Sequence, residues 1–249
     1  MCKECGCEEK KHKNNVKKKV RKVSKNEKSF LINESVTEMN DFLSDQIKSR
    51  LKAKNILCIN LMGSPGCGKT SFIEGISKHI PSAEIAVIQG DLESDIDKKR
   101  LEASNIYTYQ INTHSGCHLN SMMINQAIQE MDLSGKNYLI IENVGNLVCP
   151  AGVKIGQHIN IVISSTTEGF DKPKKYPYIF MDANIIVISK SDLAKYVNFN
   201  EKIYLRDLRN INGKANIIRV SSKNQESFGN AAHYLMHERE HLLKHAHNH

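Results

Sequence analysis

Residues 56–70 read ILCINLMGSPGCGKT. A mostly apolar run without polar alternation passes into G-x-x-x-x-G-K-T, the order of buried strand, glycine turn and helix start that this motif requires. Gly66 and Gly68 allow the backbone to curl so that its amides point inward. The helix opening near Lys69 adds the positive end of its dipole. The cradle of Gly63, Ser64, Pro65, Gly66, Cys67, Gly68, Lys69, Thr70 and Ser71 is therefore expected to bind a nucleoside triphosphate. Lys69 would meet the β and γ phosphates, and the Thr70 hydroxyl would ligate Mg2+. A glycine turn without ligand is the alternative, and Cys67 merely fills the variable position of the loop.

The rest of the chain repeats the same logic. Apolar, β-branched runs stand at 56–62, 85–89, 138–142, 159–163, 184–189 and 216–220, with helical patterns at 70–79, 94–104 and 118–131. Strands that do not alternate, separated by helices, predict an α/β fold of the P-loop NTPase class, a mostly parallel sheet covered on both faces. Val36, Met39, Leu43, Ile47 and Leu51 fall on one face at helical spacing, predicting a helix over 35–52 that docks on the domain. A last helix over about 225–245 turns Phe228, Ala232, Leu235 and Leu242 inward.

Two carboxylates follow strong strands and are expected to complete the magnesium site, Asp91 in IQGDLESD and Glu142 in YLIIENVG. Ligands gather at the carboxyl ends of strands in such sheets. Helix capping for Asp91 and a buried ion pair for Glu142 are the competing readings. For the base, ISKSD ends in Lys190 and Asp192, and VSSK contributes Ser222 and Lys223. Guanine-specific sites carry N/T-K-x-D and S-A-K here, because one carboxylate accepts both the ring NH and the exocyclic amine of guanine. Ser189 and Ser222 replace the usual Asn and Ala, and guanine is still favoured over adenine.

Three further groups suit a soft or borderline metal such as Ni2+ or Zn2+. Cys2, Cys5 and Cys7 crowd the first seven residues. Cys117 and His118 open a helix, and Cys149 lies seven residues after Glu142, in the segment that would respond to a γ phosphate. His233, His237, His241 and His245 recur every fourth residue, which stacks them on one helix face. Incidental thiols, a small buried cysteine and a run of solvated histidines are the bland alternatives.

Charge is uneven. The chain has 35 Lys/Arg and 27 Asp/Glu, of which 11 and 4 lie in residues 1–28, leaving 24 against 23 for the remainder. The excess belongs to a tail whose lack of apolar periodicity predicts disorder, as a solvating linker or a contact for an anionic surface or acidic partner. The body is not basic, so no nucleic-acid partner is expected. No stretch approaches the roughly 18–20 apolar residues of a membrane span, and the N-terminus lacks a signal peptide's apolar core, so a cytoplasmic protein without a membrane partner is expected. The expected organisation is a metal-binding, basic tail over 1–30, a nucleotide-binding domain over 31–245 and a disordered His-rich end over 246–249.

Together MCKECGC, GSPGCGKT, QGDLESD, GCHLNS, IIENVGNLVCP, EGFDKPKKYP and SKSDL resemble the HypB family, GTPases that help insert nickel into nickel–iron hydrogenase. The resemblance spans nearly the whole chain from about residue 35. It implies a GTP-hydrolysing nickel metallochaperone of the signal-recognition and MinD-like class, a homodimer when GTP is bound. It further implies a tight nickel site at Cys2, Cys5 and Cys7, and a weaker nickel or zinc site at Cys117, His118 and Cys149 near the dimer interface. The implied partners are a HypA-like, zinc-containing nickel chaperone and the hydrogenase large subunit. His114 stands where Gly is common, and the histidines lie at the C-terminal rather than the N-terminal end. Hydrolysis should be slow, since neither an arginine finger nor a water-positioning residue is visible. A nickel or zinc storage protein with a vestigial nucleotide site is the alternative. A small-molecule kinase would need an acceptor pocket and an arginine-rich lid, and neither is legible.

Overall fold

The computed structural model describes residues 25–91, 95–113 and 116–244, with backbone alone for residues 25–35 and Asp91. The chain divides into residues 1–36 and a compact unit over 37–249. Helix α1 (Lys25–Ala53) leads into strand β1 (Leu57–Gly63), helix α2 (Lys69–Ile76), β2 (Ile85–Asp91), α3 (Ile96–Ala103), β3 (Tyr107–Asn112), α4 (Ser121–Glu130) and β4 (Tyr138–Glu142). Then follow β5 (Ile159–Ser165), the short helices α5 (Lys172–Lys175) and α6 (Pro177–Met181), β6 (Ile185–Ser189), α7 (Glu201–Ile211), β7 (Asn216–Arg219) and α8 (Gly229–Lys244).

The strands form one seven-stranded sheet in the order β3-β2-β4-β1-β5-β6-β7, every pairing parallel. β1 is buried along its whole length, as the absence of alternation requires of a central strand with helices on both faces. Its two sides feed different cores. Leu57, Ile59 and Leu61 pack with Phe72 and Ile76 of α2 and Leu235 of α8. Cys58 packs with Ile47 of α1 and Ile124 of α4, while Met62 joins Phe180 and Tyr204. The chain leaves β1 toward β2 on one side and later reaches β5 on the other, so Gly63 stands at the carboxyl edge where the strand order reverses. Such a reversal is where open α/β sheets bind ligands.

Three expectations need correction. The stripe on α1 is only half used: Ile47 and Leu51 are fully buried, whereas Val36 and Met39 are each 63% exposed. The helix begins at Lys25, inside the segment whose charge predicts a tail, because adding turns to a formed helix is far cheaper than nucleating one; residues 1–24 lie outside the described residues. β3 was not anticipated. Its sequence, YTYQIN, is a partly exposed sheet edge without the apolar run of the interior strands.

Loop 150–158 is bound to the second half of α1. Gly156 N–H donates to Ser44 Oγ at 2.7 Å, Asn40 donates to the Lys154 carbonyl at 2.8 Å, and Lys154 pairs with Asp41. Farther along, Cys58 N–H donates to His158 Nδ1 at 2.9 Å, and burial holds His158 down at about 4. The unfolded chain therefore takes up this proton near pH 6.5 while the folded chain resists until about 4, so stability falls as pH drops between those values.

Two outcomes follow in urea denaturation. Ile47→Ala should cost about 2–5 kcal/mol, the usual loss for a buried aliphatic side chain, whereas Val36→Ala should stay within about 0.5 kcal/mol. The urea midpoint of the wild type should fall from pH 6.5 toward pH 4, and His158→Gln should flatten that slope.

Candidate functional site

The loop between β1 and α2 adopts the conformation its glycines permit. Gly66 has φ +71° and Gly68 φ +100°, a region that costs L-residues roughly 1–2 kcal/mol. Gly68 is the N-cap of α2 in left-handed geometry, which turns the first helical amides into the loop. Lys69 is buried, and its ammonium donates to the carbonyls of Gly63 at 3.4 Å and Ser64 at 3.3 Å. Thr70 Oγ1 donates at 3.0 Å to Glu142 Oε1, and Gln89 Nε2 donates at 3.1 Å to Glu142 Oε2. Burial raises the Glu142 carboxyl above its ordinary range, opposed by Lys69 and the Thr70 bond.

A cavity of about 290 Å3 lies under the 150–158 loop, away from this chemistry. The one that matters here, about 230 Å3, is lined by Gly66, Lys69, Gln89, Asp97 and Glu142. Asp97 was missed at the level of sequence. It is one of four acidic residues in DLESDID, and only Asp91 stands directly at a strand end. Asp97 pairs with Arg100 at 3.1 Å, and Arg100 pairs in turn with Glu74 at 2.6 Å. The Asp91 backbone closes β2 opposite Asn112; its side chain lies outside the described residues.

On the far side of the loop, Lys190 sits in left-handed geometry at φ +53° and donates from Nζ to the Gly66 carbonyl at 2.9 Å. Ser189, the departure from Asn, donates to the Cys67 carbonyl at 2.6 Å. A hydroxyl thus ties the base-side segment to the phosphate loop. The Asp192 carboxylate accepts from Ser221 Oγ at 2.6 Å, which holds it below its usual range, and Lys223 Nζ lies 3.6 Å away. Ser222 is exposed; its neighbour Ser221 makes the contact, because the two alternate sides of the chain as it leaves β7.

The four described cysteines divide by burial. Cys58 and Cys67 are buried; burial raises both thiols, Cys67 to about 11. Cys117 is exposed and Cys149 half-buried, and with His118 they bring one ligand atom each within 4.8 Å of one another. Cys117 Sγ lies 3.5 Å from His118 Nδ1. The hydrogen bond with Cys149 raises the Cys117 thiol, because the neighbouring sulfur favours the protonated form that donates to it. Two sulfurs and an imidazole on a half-open surface suit a borderline or soft divalent ion with a coordination position to spare.

Both halves of this trio hang from the segment after Glu142. Leu119 N–H, next to His118, donates to Asn143 Oδ1 at 3.1 Å, and Asn143 donates to Asn60 Oδ1 at 3.2 Å. Asn146 N–H donates to the Gly63 carbonyl at 3.0 Å, while the N–H groups of Val148 and Cys149 reach Asn146 Oδ1 at 2.8 and 3.3 Å. A Cβ on Gly145 would come 2.9 Å from Pro65, so the segment rests directly on the phosphate loop. Of the other ligand candidates, His233, His237 and His241 are exposed on α8, and the rings of His237 and His241 lie 4.6 Å apart. Cys2, Cys5, Cys7, His114 and His245 lie outside the described residues.

Residues 57–219 match the family described as CobW/HypB/UreG, nucleotide-binding domain. The chain belongs to this family. Like other CobW/HypB/UreG members it is an α/β nucleotide-binding protein, and the matched span runs from the first residue of β1 to the last of β7. It is 37% identical over 218 residues to the hydrogenase/urease maturation factor HypB of Helicobacter hepaticus, covering 86% of this chain and 90% of that one. It is 36% identical over 202 residues to the hydrogenase maturation factor HypB of Azotobacter chroococcum, spanning 65% of that protein's length. The crystal structure of Helicobacter pylori HypB in complex with nickel superposes with a TM-score of 0.78 at 35% identity, covering 82% of this chain and 96% of that one. No described helix of this CobW/HypB/UreG chain is long and apolar enough to cross a membrane.

Alkylation checks the division of the thiols. In brief iodoacetamide treatment at pH 8 followed by peptide mapping, Cys117 and Cys149 should be modified while Cys58 and Cys67 stay protected until the protein is unfolded.

Proposed function

We propose that this protein is a GTP-hydrolysing nickel metallochaperone of nickel–iron hydrogenase maturation, working in the cytoplasm. The observation that carries the reading is the run from Glu142 to Cys149. One end accepts a hydrogen bond from Thr70, and the other supplies a thiolate to the Cys117, His118, Cys149 trio. The names of its relatives and the nickel complex of one of them support the choice of process and metal. A phosphate loop with both glycines left-handed and its lysine buried favours a working nucleotide site over a vestigial one.

In this reading the loop amides and Lys69 hold the phosphates of GTP, while Asp192, aligned by Ser221 and flanked by Lys223, selects guanine. Thr70, Asp91 and Glu142 would hold Mg2+, which supplies charge neutralisation between the phosphates. Burial makes an ionised Glu142 costly in the free protein, and a divalent cation held beside the carboxylate would offset that cost. Among the described residues no arginine lines the phosphate-loop cavity, and Arg100 is occupied by Asp97 and Glu74, which accords with slow hydrolysis. Cys117, His118 and Cys149 receive Ni2+ as cargo, with Zn2+ as a competitor for the same donors. GTP-dependent pairing of two protomers, receipt of nickel from a HypA-like chaperone and delivery to the hydrogenase large subunit complete the cycle. Cys2, Cys5 and Cys7, His237 and His241 of α8, and His245 act as further nickel donors.

The test is nickel titration with a GTP analogue, with GDP and without nucleotide. Affinity at the Cys117, His118, Cys149 site should change with the nucleotide; equal affinity in all three states overturns the reading. Lys69→Ala should abolish triphosphate binding and hydrogenase maturation without abolishing nickel binding, whereas a storage protein would lose nothing that maturation measures. Glu142→Gln should fold normally, because the buried Gln89 Oε1 has no partner and a flipped Gln89 amide can accept from the new NH2. Magnesium-dependent GTP affinity should nevertheless fall by about tenfold or more, as for other perturbed metal shells.

A further inference from the structure

Resting on that reading, we propose that Asn146 is the positioning residue that transmits nucleotide occupancy to the metal site. Its two ends do different jobs. The backbone N–H donates to the Gly63 carbonyl at 3.0 Å, forming an isolated antiparallel bridge between the phosphate loop and the segment after Glu142. The side-chain oxygen gathers the N–H groups of Val148 and Cys149. Two backbone donors converge on that one terminal atom, so it is the amide oxygen and not the nitrogen. Asn146 therefore fixes the direction of the backbone that carries the Cys149 thiol.

The link to the nucleotide is the Gly63 carbonyl itself. It accepts from Lys69 Nζ at 3.4 Å as well as from Asn146 N–H. A phosphate drawn into the loop competes for the Lys69 ammonium with a full negative charge, a stronger acceptor than a carbonyl. As Lys69 leaves, Gly63 O is left to Asn146 alone, and the balance of the bridge changes. Gly145 lies against Pro65 with no room for a Cβ, so a shift of the loop is passed to the segment rather than absorbed by a gap. Asn143 holds the other half of the trio through Leu119, but it is 1% exposed and bonded to the equally buried Asn60. That half is anchored in the sheet. The half carrying Cys149 is the one free to respond, and among the described residues the side chain that orients its backbone is Asn146.

The experiment is nickel titration of the full chain, with a GTP analogue and magnesium and again without nucleotide, for wild type, Asn146→Ala and Asn146→Asp. Nucleotide affinity and thermal unfolding are measured on the same samples. Asn146→Ala keeps the backbone bridge and removes the side-chain acceptor; Asn146→Asp restores an acceptor of the same length. Coupling in the wild type should lie in the usual range of roughly 5- to 150-fold. It should fall below about twofold in Asn146→Ala and recover in Asn146→Asp. If the alanine variant keeps the wild-type ratio, or if the aspartate variant loses it with its nucleotide affinity intact, the role assigned to Asn146 is wrong. Should the alanine variant unfold, Asn146→Ser, whose hydroxyl oxygen is too short to reach both amides, is compared with Asn146→Asp on the same criteria. A wild type whose nickel affinity ignores nucleotide instead overturns the proposed function.

Discussion

A carboxylate buried beneath the phosphate loop organises this molecule. Glu142 closes the interior strand β4, where solvent is excluded and an ionised group is costly, and it is tolerated because Thr70 and Gln89 each offer it a hydrogen bond and Lys69 lies close by. Those three partners come from α2 and β2, so the carboxylate ties the phosphate loop, helix α2 and strands β2 and β4 to one point. Everything downstream takes its position from there: Asn143 and Asn146 follow within four residues, and Cys149 within seven.

The candidate metal trio shows the same economy. Its ligands come from two stretches of chain, 117–118 and 149, neither of which has a regular structure of its own to fix a side chain. Each is held by an asparagine acting on backbone amides, which orients the chain without adding charge beside the thiols. Buried amides suit this task because an unmet N–H would cost about 1–3 kcal/mol. The exposed Cys117 and half-buried Cys149 remain open to an incoming ion, while Cys58 and Cys67 are sealed into the core and kept protonated. Burial, not spacing in the chain, separates the two classes of cysteine.

The phosphate loop, the six apolar strands and the three intervening helical patterns were legible because each rests on local chemistry: glycine's freedom at positive φ, and apolar runs that only a doubly covered strand can use. Val36 and Met39 carry the same periodic signal as Ile47 and Leu51, yet no periodicity tells which turns of a long helix meet a core. β3 escaped notice because an edge strand needs no continuous apolar run. Ser221 and Ser222 differ only in which way the chain faces after β7, and Asp97 is one acid among four until α3 turns it toward the loop.

The sequence by itself determined that a nucleotide-binding loop exists, where it lies, and which donors are suited to a borderline metal, since these follow from residue types at short spacing. Tertiary structure decided which of those residues meet. Cys117 and Cys149 are 32 positions apart, and Gly63 and Asn146 are farther still. Only the parallel sheet, which sets the ends of β1 and β4 side by side, lets one carbonyl serve both the phosphate-loop lysine and the segment that carries the Cys149 thiol.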